Sequence, residues 1–388
     1  MSDKIKTFIN FFIIVIPVID PAGVFFNFPY FYFSLAVIVN FPDFNGKHLY
    51  FCLLFLAVYF SSAAYMEISP PPLGVDTLIK NGNLAKQVLY LPLLCFLTKD
   101  KNIIKYFIIA TFVIAFVEII VFYLYVYSPV SYPIWYYFHF QANDTIMLGY
   151  RTIFGFSLAS VYHKSSALLI IVAAYNITNI LYHHNKKKNF LGLLIIGITF
   201  FCGSTRACML SFLLLCFFGY CYFLLLKKKW VLFSFICSVS IMFFVVLFFK
   251  ILLDSEEASF SIKAGHLKGI EEQIFSSPLR SLFVGFGPGS LFYSYGTNNL
   301  RSITELTYWD MFRQYGILNG LFMILAFLFP VFSCFWGGKK YKRKRFVFGI
   351  SFLLYYFIAG TNPLLFSSTG FLALLMMIVI TDNINHRN

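Results

Sequence analysis

Residues Phe107 to Val126 read FIIATFVIAFVEIIVFYLYV, an unbroken apolar run in which Glu118 is the one charged side chain. As an α-helix rising about 1.5 Å per residue, such a run covers the roughly 30 Å hydrocarbon core of a bilayer. It does not alternate apolar with polar, as a membrane β-barrel strand must. Comparable runs recur at 207–226 and 231–249. The whole chain of 388 residues is 60% hydrophobic and 12% charged, against about 25% charged in soluble domains. Lipid satisfies no backbone groups, so only helices and closed barrels cross it. The sequence therefore predicts an all-α fold: a polytopic integral membrane helical bundle.

About twelve spans fit this pattern, near 5–19, 24–40, 48–66, 84–98, 103–127, 164–182, 190–203, 207–226, 230–251, 316–336, 346–358 and 364–381. The net charge of +14 sits in short segments between them: Lys4/Lys6, Lys47, Lys99/Lys101/Lys105, Lys186–Lys188, Lys227–Lys229, Lys339–Arg345 and Arg387. Alternating the spans puts every such segment on one side, which the positive-inside rule makes cytoplasmic, together with both termini. That placement accounts for the charge without a nucleic-acid partner. The eight cysteines lie in or beside apolar runs with no CxxC pair, so they read as small buried hydrophobes and not as a metal or disulfide framework. Three longer segments face outward, near 67–83, 128–163 and 252–315. The second is aromatic (Tyr132, Trp135, Tyr136, Tyr137) and reads as interfacial. The chain divides into spans 1–251, a large loop 252–315 and spans 316–388.

Polar chemistry concentrates in that loop. Asp254, Glu256, Glu257, Glu271, Glu272, Glu305 and Asp310 are seven of the chain's 16 acidic residues. Leu267, Ile270 and Ile274 recur at helical spacing with Lys268 and Glu272 opposite, predicting an amphipathic helix over 262–275 that rests on the membrane surface and ends before Pro278. Gly285-Phe-Gly-Pro-Gly289 reads as a tight turn whose N–H groups can face an anion. Outside the loop, Gly203-Ser204-Thr205-Arg206 is a turn between two spans, on the same outward side. Ser204 or Thr205 can cap the helix that follows, and its N-terminus with Arg206 suits a diphosphate. An arginine snorkelling to lipid headgroups accounts for the same residue.

Taken in order, Cys202-Gly-Ser-Thr-Arg-Ala207, Ser277-Pro-Leu-Arg-Ser-Leu-Phe-Val-Gly-Phe-Gly-Pro-Gly-Ser290, Thr304-Glu-Leu-Thr-Tyr308, Gln314-Tyr-Gly-Ile-Leu-Asn-Gly320 and Thr361-Asn-Pro363 resemble the O-antigen polymerase (Wzy) family, within the O-antigen ligase/polymerase superfamily. The resemblance spans about residues 195–381; the first half of the chain matches in hydropathy alone. It implies a GT-C-like glycosyltransferase of the bacterial inner membrane with its active site at the periplasmic face, working with no metal and no cofactor. The growing glycan on undecaprenyl diphosphate is then the donor, a newly flipped lipid-linked repeat unit the acceptor, and a separate chain-length regulator a partner.

The resemblance also implies roles. Arg206 matches the family's loop arginine and would bind the diphosphate, with Arg280 and Arg301 as second cations. Glu305 and His266 are the candidates for general base, Glu305 also for orienting the acceptor. Arg313 and Tyr308 could line a sugar groove. Each has a plainer alternative: a helix-end acid for Glu305, a decorated helix for His266, exposed loop charges for Arg280 and Arg301, and an interfacial anchor for Arg313 with Tyr308. The sister ligases carry a His-Asn-like motif where this chain has Thr304-Glu305-Leu306, which favours polymerase over ligase. A lipid-linked oligosaccharide flippase would place ionisable groups at mid-membrane, and Glu118 is the clear one.

Overall fold

The computed structural model describes residues 3–22, 29–98, 100, 102–128, 130–141, 145–153, 156–182, 184–239, 242, 258–336 and 342–386. Asp254, Glu256, Glu257, Lys99, Lys101, Lys339, Lys340, Arg387 and most of the second half of the expected 230–251 span lie outside the described residues.

The chain is mostly helical. The first part holds α1 (Asp3–Ile19), α2 (Pro29–Asn40), α3 (Leu49–Ile68), α4 (Thr77–Tyr90), α5 (Leu93–Phe96), α6 (Ile103–Tyr127) and α7 (Ser131–Phe140). An antiparallel hairpin of β1 (Ile146–Ile153) and β2 (Phe156–His163) follows, then α8 (Leu169–Leu181), α9 (Lys186–Gly203), α10 (Arg206–Leu226) and α11 (Trp230–Val239). The loop region is built from α12 (Ala258–Ser276), α13 (Pro278–Phe283), a short ladder of β3 (Phe292–Ser294) with β4 (Asn299–Arg301), and α14 (Thr307–Tyr315). The chain then runs through α15 (Ile317–Trp336), α16 (Lys342–Gly360) and α17 (Ser368–His386).

Among the described residues five helices are long and apolar enough to cross a membrane: Gly46–Ile68, Ile103–Tyr127, Lys164–Leu181, Arg206–Leu226 and Ile317–Trp336. α8 and α17 lie at the centre, with Leu169, Ile170, Ala373, Leu374 and Met376 almost fully enclosed. In lipid such packing gains van der Waals contact and not removal from water.

Two expectations are refined here. Residues 84–98 are not one continuous helix. α4 begins at Thr77, where the Asp76 carboxylate accepts the N–H groups of Leu78 (3.1 Å) and Ile79 (3.2 Å), and it stops before Pro92, which has no N–H to continue the ladder. Its buried face carries Asn83 and Gln87, which lipid would not tolerate unpartnered. The 128–163 segment, expected to be interfacial throughout, has two parts: α7 exposes Tyr132, Tyr136, Tyr137 and Phe140, and the hairpin after it folds back onto the bundle. Ser160 Oγ donates to the Gly203 carbonyl at 2.8 Å.

Contacts between helix ends fix the relative directions. Lys6 pairs with Asp43, Lys47 and His48 with Asp382 (2.7 and 2.9 Å), and Asn10 bonds Asn40 (3.2 Å). Tyr222 stacks on Phe346 at 4.5 Å, and Lys344 lies 5.1 Å above the Tyr182 ring. These mark a basic end of the bundle, from which α1, α3, α6, α9 and α16 depart and to which α2, α8, α10, α15 and α17 return. At the opposite end Ile19 meets His163 (3.0 Å), Asp76 meets Gly289 (2.8 Å) and Thr307 meets Ala359 (2.9 Å). The loop region and the Gly203–Arg206 turn share that second end.

Candidate functional site

The loop region has a small core of its own. Ile270 and Ile274, on the apolar face of α12, pack with Phe292 of β3 and Phe312 of α14. The helix predicted over 262–275 is present, and its Ile270 and Ile274 are covered by the loop itself. Its other face clasps Tyr295: the hydroxyl donates to Glu272 at 2.6 Å, and Lys268 sits 4.4 Å over the ring.

Two of the expected substrate-binding arginines are occupied in holding this region together. Arg313 is 0% exposed. Its guanidinium donates to Asp310 Oδ1 (2.8 and 2.6 Å), to the Ser290 carbonyl (2.6 Å) and to the Ser302 carbonyl (2.9 Å), and it stacks 4.7 Å from Phe292. It lines no open groove, because a buried guanidinium needs all its donors met. Arg280 donates to the Gly285 carbonyl (2.9 Å), the Phe286 carbonyl (3.3 Å) and Ser69 Oγ (3.3 Å), and so ties the glycine turn to α3. That turn has Gly285, Gly287 and Gly289 at φ 67, 96 and 76. Its N–H groups are not offered to an anion: Phe286 donates to the Arg313 carbonyl and Gly287 to the Gln314 carbonyl, both at 2.9 Å. Tyr308 turns toward α16, its hydroxyl donating to the Tyr356 carbonyl at 2.7 Å, and burial pushes its pKa up to about 12.

Three other candidates do come together. His266 on α12 hydrogen-bonds Ser294 through Nδ1 at 2.6 Å, and Arg301, Glu305, Asp310 and Lys263 are its electrostatic neighbours. Burial first, then the Arg301 guanidinium, hold the His266 pKa below the usual histidine value, so the ring is neutral near pH 7. Glu305 pairs with Lys263 at 3.1 Å, with 56% of its side chain exposed; Arg301 is exposed and bonds Asn299 at 3.0 Å. The Glu305 carboxylate and two cations, Arg301 and Lys263, are thus open to the surface, with the neutral His266 imidazole buried beside them at 7% exposure.

Arg206 opens α10 and is exposed, while Gly203, Ser204 and Thr205 are buried beneath it. The expected hydroxyl cap is not made: Thr205 is the N-cap without a side-chain bond, and Ser204 Oγ lies 3.2 Å from the Ala159 carbonyl. Glu118 is a seat for this turn. Its carboxylate accepts from Ser166 Oγ and the His163 N–H, and a Cβ added at Gly203 would lie 2.9 Å from Glu118 Oε1. Tyr355 of α16 lies near both Cys208, next to this turn, and Tyr308 of α14. The Arg206 turn and the α14 region therefore flank one stretch of α16.

No protein-family model, curated protein or solved structure matches this chain.

Chemically, the open face offers a carboxylate base, Glu305, with cations near it and the neutral His266 buried beneath, and the Arg206 turn a further cation. Sequence reasoning missed Lys263 and Ser294. The signal for Lys263 was there: it precedes His266 by three residues, one helical turn on the same face. Ser294 carries no such signal, because its meeting with His266 is tertiary. Also missed was a cavity below the loop, between α4, α14 and the 363–367 turn, with Lys86, Asp310 and Tyr315 in its wall.

Proposed function

We propose that this chain is a surface-polysaccharide polymerase of the bacterial inner membrane, a GT-C-like helical protein of about twelve spans with its termini cytoplasmic and its site periplasmic. The observation that carries it is the gathering of His266, Arg301 and Glu305 on one face of the loop, at the same end of the bundle as the Arg206 turn. The ordered motifs from Cys202 to Pro363 add the family resemblance, and the basic opposite end agrees with positive-inside placement.

In this mechanism a hydroxyl of the acceptor repeat unit attacks the anomeric carbon of the donor glycan. The bond from that carbon to the diphosphate oxygen breaks, and undecaprenyl diphosphate leaves with the electron pair. Glu305 or His266 takes the hydroxyl proton. Arg206, with Arg301 and Lys263, offsets the charge that grows on the leaving group. Arg280 and Arg313 act indirectly, by holding the loop that carries these groups.

Arg206→Ala, expressed at normal level in a strain without its own copy, is expected to leave surface lipopolysaccharide capped by a single repeat unit. A full-length ladder removes Arg206 from the mechanism. Loss of even the single repeat points instead to a flippase or a ligase.

A further inference from the structure

We propose that the basic ends of α9, α10 and α16 form a binding site for the anionic headgroup of a phospholipid, on one half of the basic end of the bundle. The charge pattern is the first observation. Of the 16 acidic residues, none lies between Asp144 and Asp254 or between Asp310 and Asp382, and those two stretches supply all three helix ends. Lys186–Lys188 open α9 straight after α8, Lys227–Lys229 follow α10, and Lys342 and Arg343 open α16. Each of these side chains is exposed and, among the described residues, makes no ion pair. The other half of the same end carries its own acids: Asp43 pairs with Lys6, Asp382 with Lys47 and His48, and Asp100 accepts from Asn10 at 2.7 Å. Positive-inside placement asks for cations in both halves. It does not ask one half to lose every carboxylate.

The second observation is an aromatic floor between these cations. Tyr222 stacks on Phe346 at 4.5 Å, Lys344 lies 5.1 Å above Tyr182, and Tyr182 and Arg343 both lie near Tyr222. All three rings are half-buried. The apolar runs of α8 and α10 end at Leu181 and Leu226, a few residues from the cations, and Phe190 and Trp230 beside them are 66% and 60% exposed. That is headgroup depth, where aromatic rings take the interface and basic side chains take phosphate oxygens. A soluble polyanion would satisfy the cations and offer nothing to Phe190 and Trp230. A phospholipid meets both.

The full chain in detergent would be titrated with phosphatidylglycerol or phosphatidylcholine, and the retained lipid measured by native mass spectrometry. The wild type should retain phosphatidylglycerol in preference. Lys227→Gln with Arg343→Gln is expected to weaken that retention roughly tenfold or more. Lys4→Gln with Lys105→Gln removes the same charge from the other half and should leave retention near the wild-type value, as should the charge-keeping Lys227→Arg with Arg343→Lys. A second patch double, Lys187→Gln with Lys229→Gln, lets the loss be read in whichever variant melts as the wild type does. Equal retention of the two lipids by the wild type overturns the site. So does an equal loss in the patch and control doubles, because overall charge would then suffice. Preferential capture of soluble polyglutamate overturns it too, in favour of an acidic protein partner. None of these outcomes alters the Arg206→Ala ladder, so the lipid site and the polymerase reading fail separately.

Discussion

At the scale of single residues, burial decides which charges are structural and which are available for chemistry. Arg313 and Asp310 form a buried pair at 2.6 Å, and removing one partner strands the other. Arg313→Leu is expected to cost about 3–5 kcal/mol, read as a lower unfolding midpoint and faster proteolysis within 258–315. Lys263→Ala removes a pair whose side chains are 33% and 56% exposed, and its effect on stability should stay below about 1 kcal/mol. Under the proposed mechanism it lowers activity more than stability, which a transfer assay beside a melting curve distinguishes. His266 adds a pH dependence. Its folded pKa lies below the unfolded value near 6.5, so the unfolded chain binds more protons as pH falls. Stability from this group is complete above about pH 6.5 and declines as pH drops toward the folded pKa. His266→Gln should flatten that decline in a series of melts between about pH 7 and 5. An unchanged slope would assign the pH dependence to other groups.

At the scale of elements, the sequence pattern told what each segment is more readily than what it packs against. The 3.6-residue spacing of Leu267, Ile270 and Ile274 was enough to place α12, but its partners are Phe292 on a three-residue strand and Phe312 on α14, neither marked by local periodicity. The same limit explains Arg280 and Arg313. Both stand in polar, loop-like sequence, and only the folded loop turns them inward. The glycine turn was legible because left-handed backbone selects glycine, whereas the destination of its N–H groups was not. Gly285 shows the constraint directly: it combines φ 67 with a site where a Cβ would lie 2.4 Å from Gly316 N. Gly285→Ala should therefore cost at least about 1–3 kcal/mol and loosen the docking of the turn against α14. Hydrogen exchange at Phe286 and Gly287 checks this, and protection equal to wild type would contradict it.

At the scale of the molecule, the basic residues and the polar loop occupy opposite ends of a helical bundle. The long apolar runs were plain from composition, because lipid leaves little choice of side chain over about 20 residues. The interruption of 84–98 was signalled by Pro92, but the packing of α4 around a cavity depends on α14, more than two hundred residues away. Sidedness is testable by reporter fusions: alkaline phosphatase joined after Ser276 should be active, and after Lys228 inactive, with a cytoplasmic fluorescent reporter giving the reverse. The most direct measurement is reconstitution. The purified chain in nanodiscs would be given undecaprenyl-diphosphate-linked repeat units from polymerase-deficient cells, and the lipid-linked products resolved by length. The expected result is a ladder of two or more repeats with free undecaprenyl diphosphate released, formed in EDTA and lost in Arg206→Ala. A folded wild-type chain that leaves the single repeat unextended, or an Arg206→Ala chain that extends it as well as the wild type, would contradict the account.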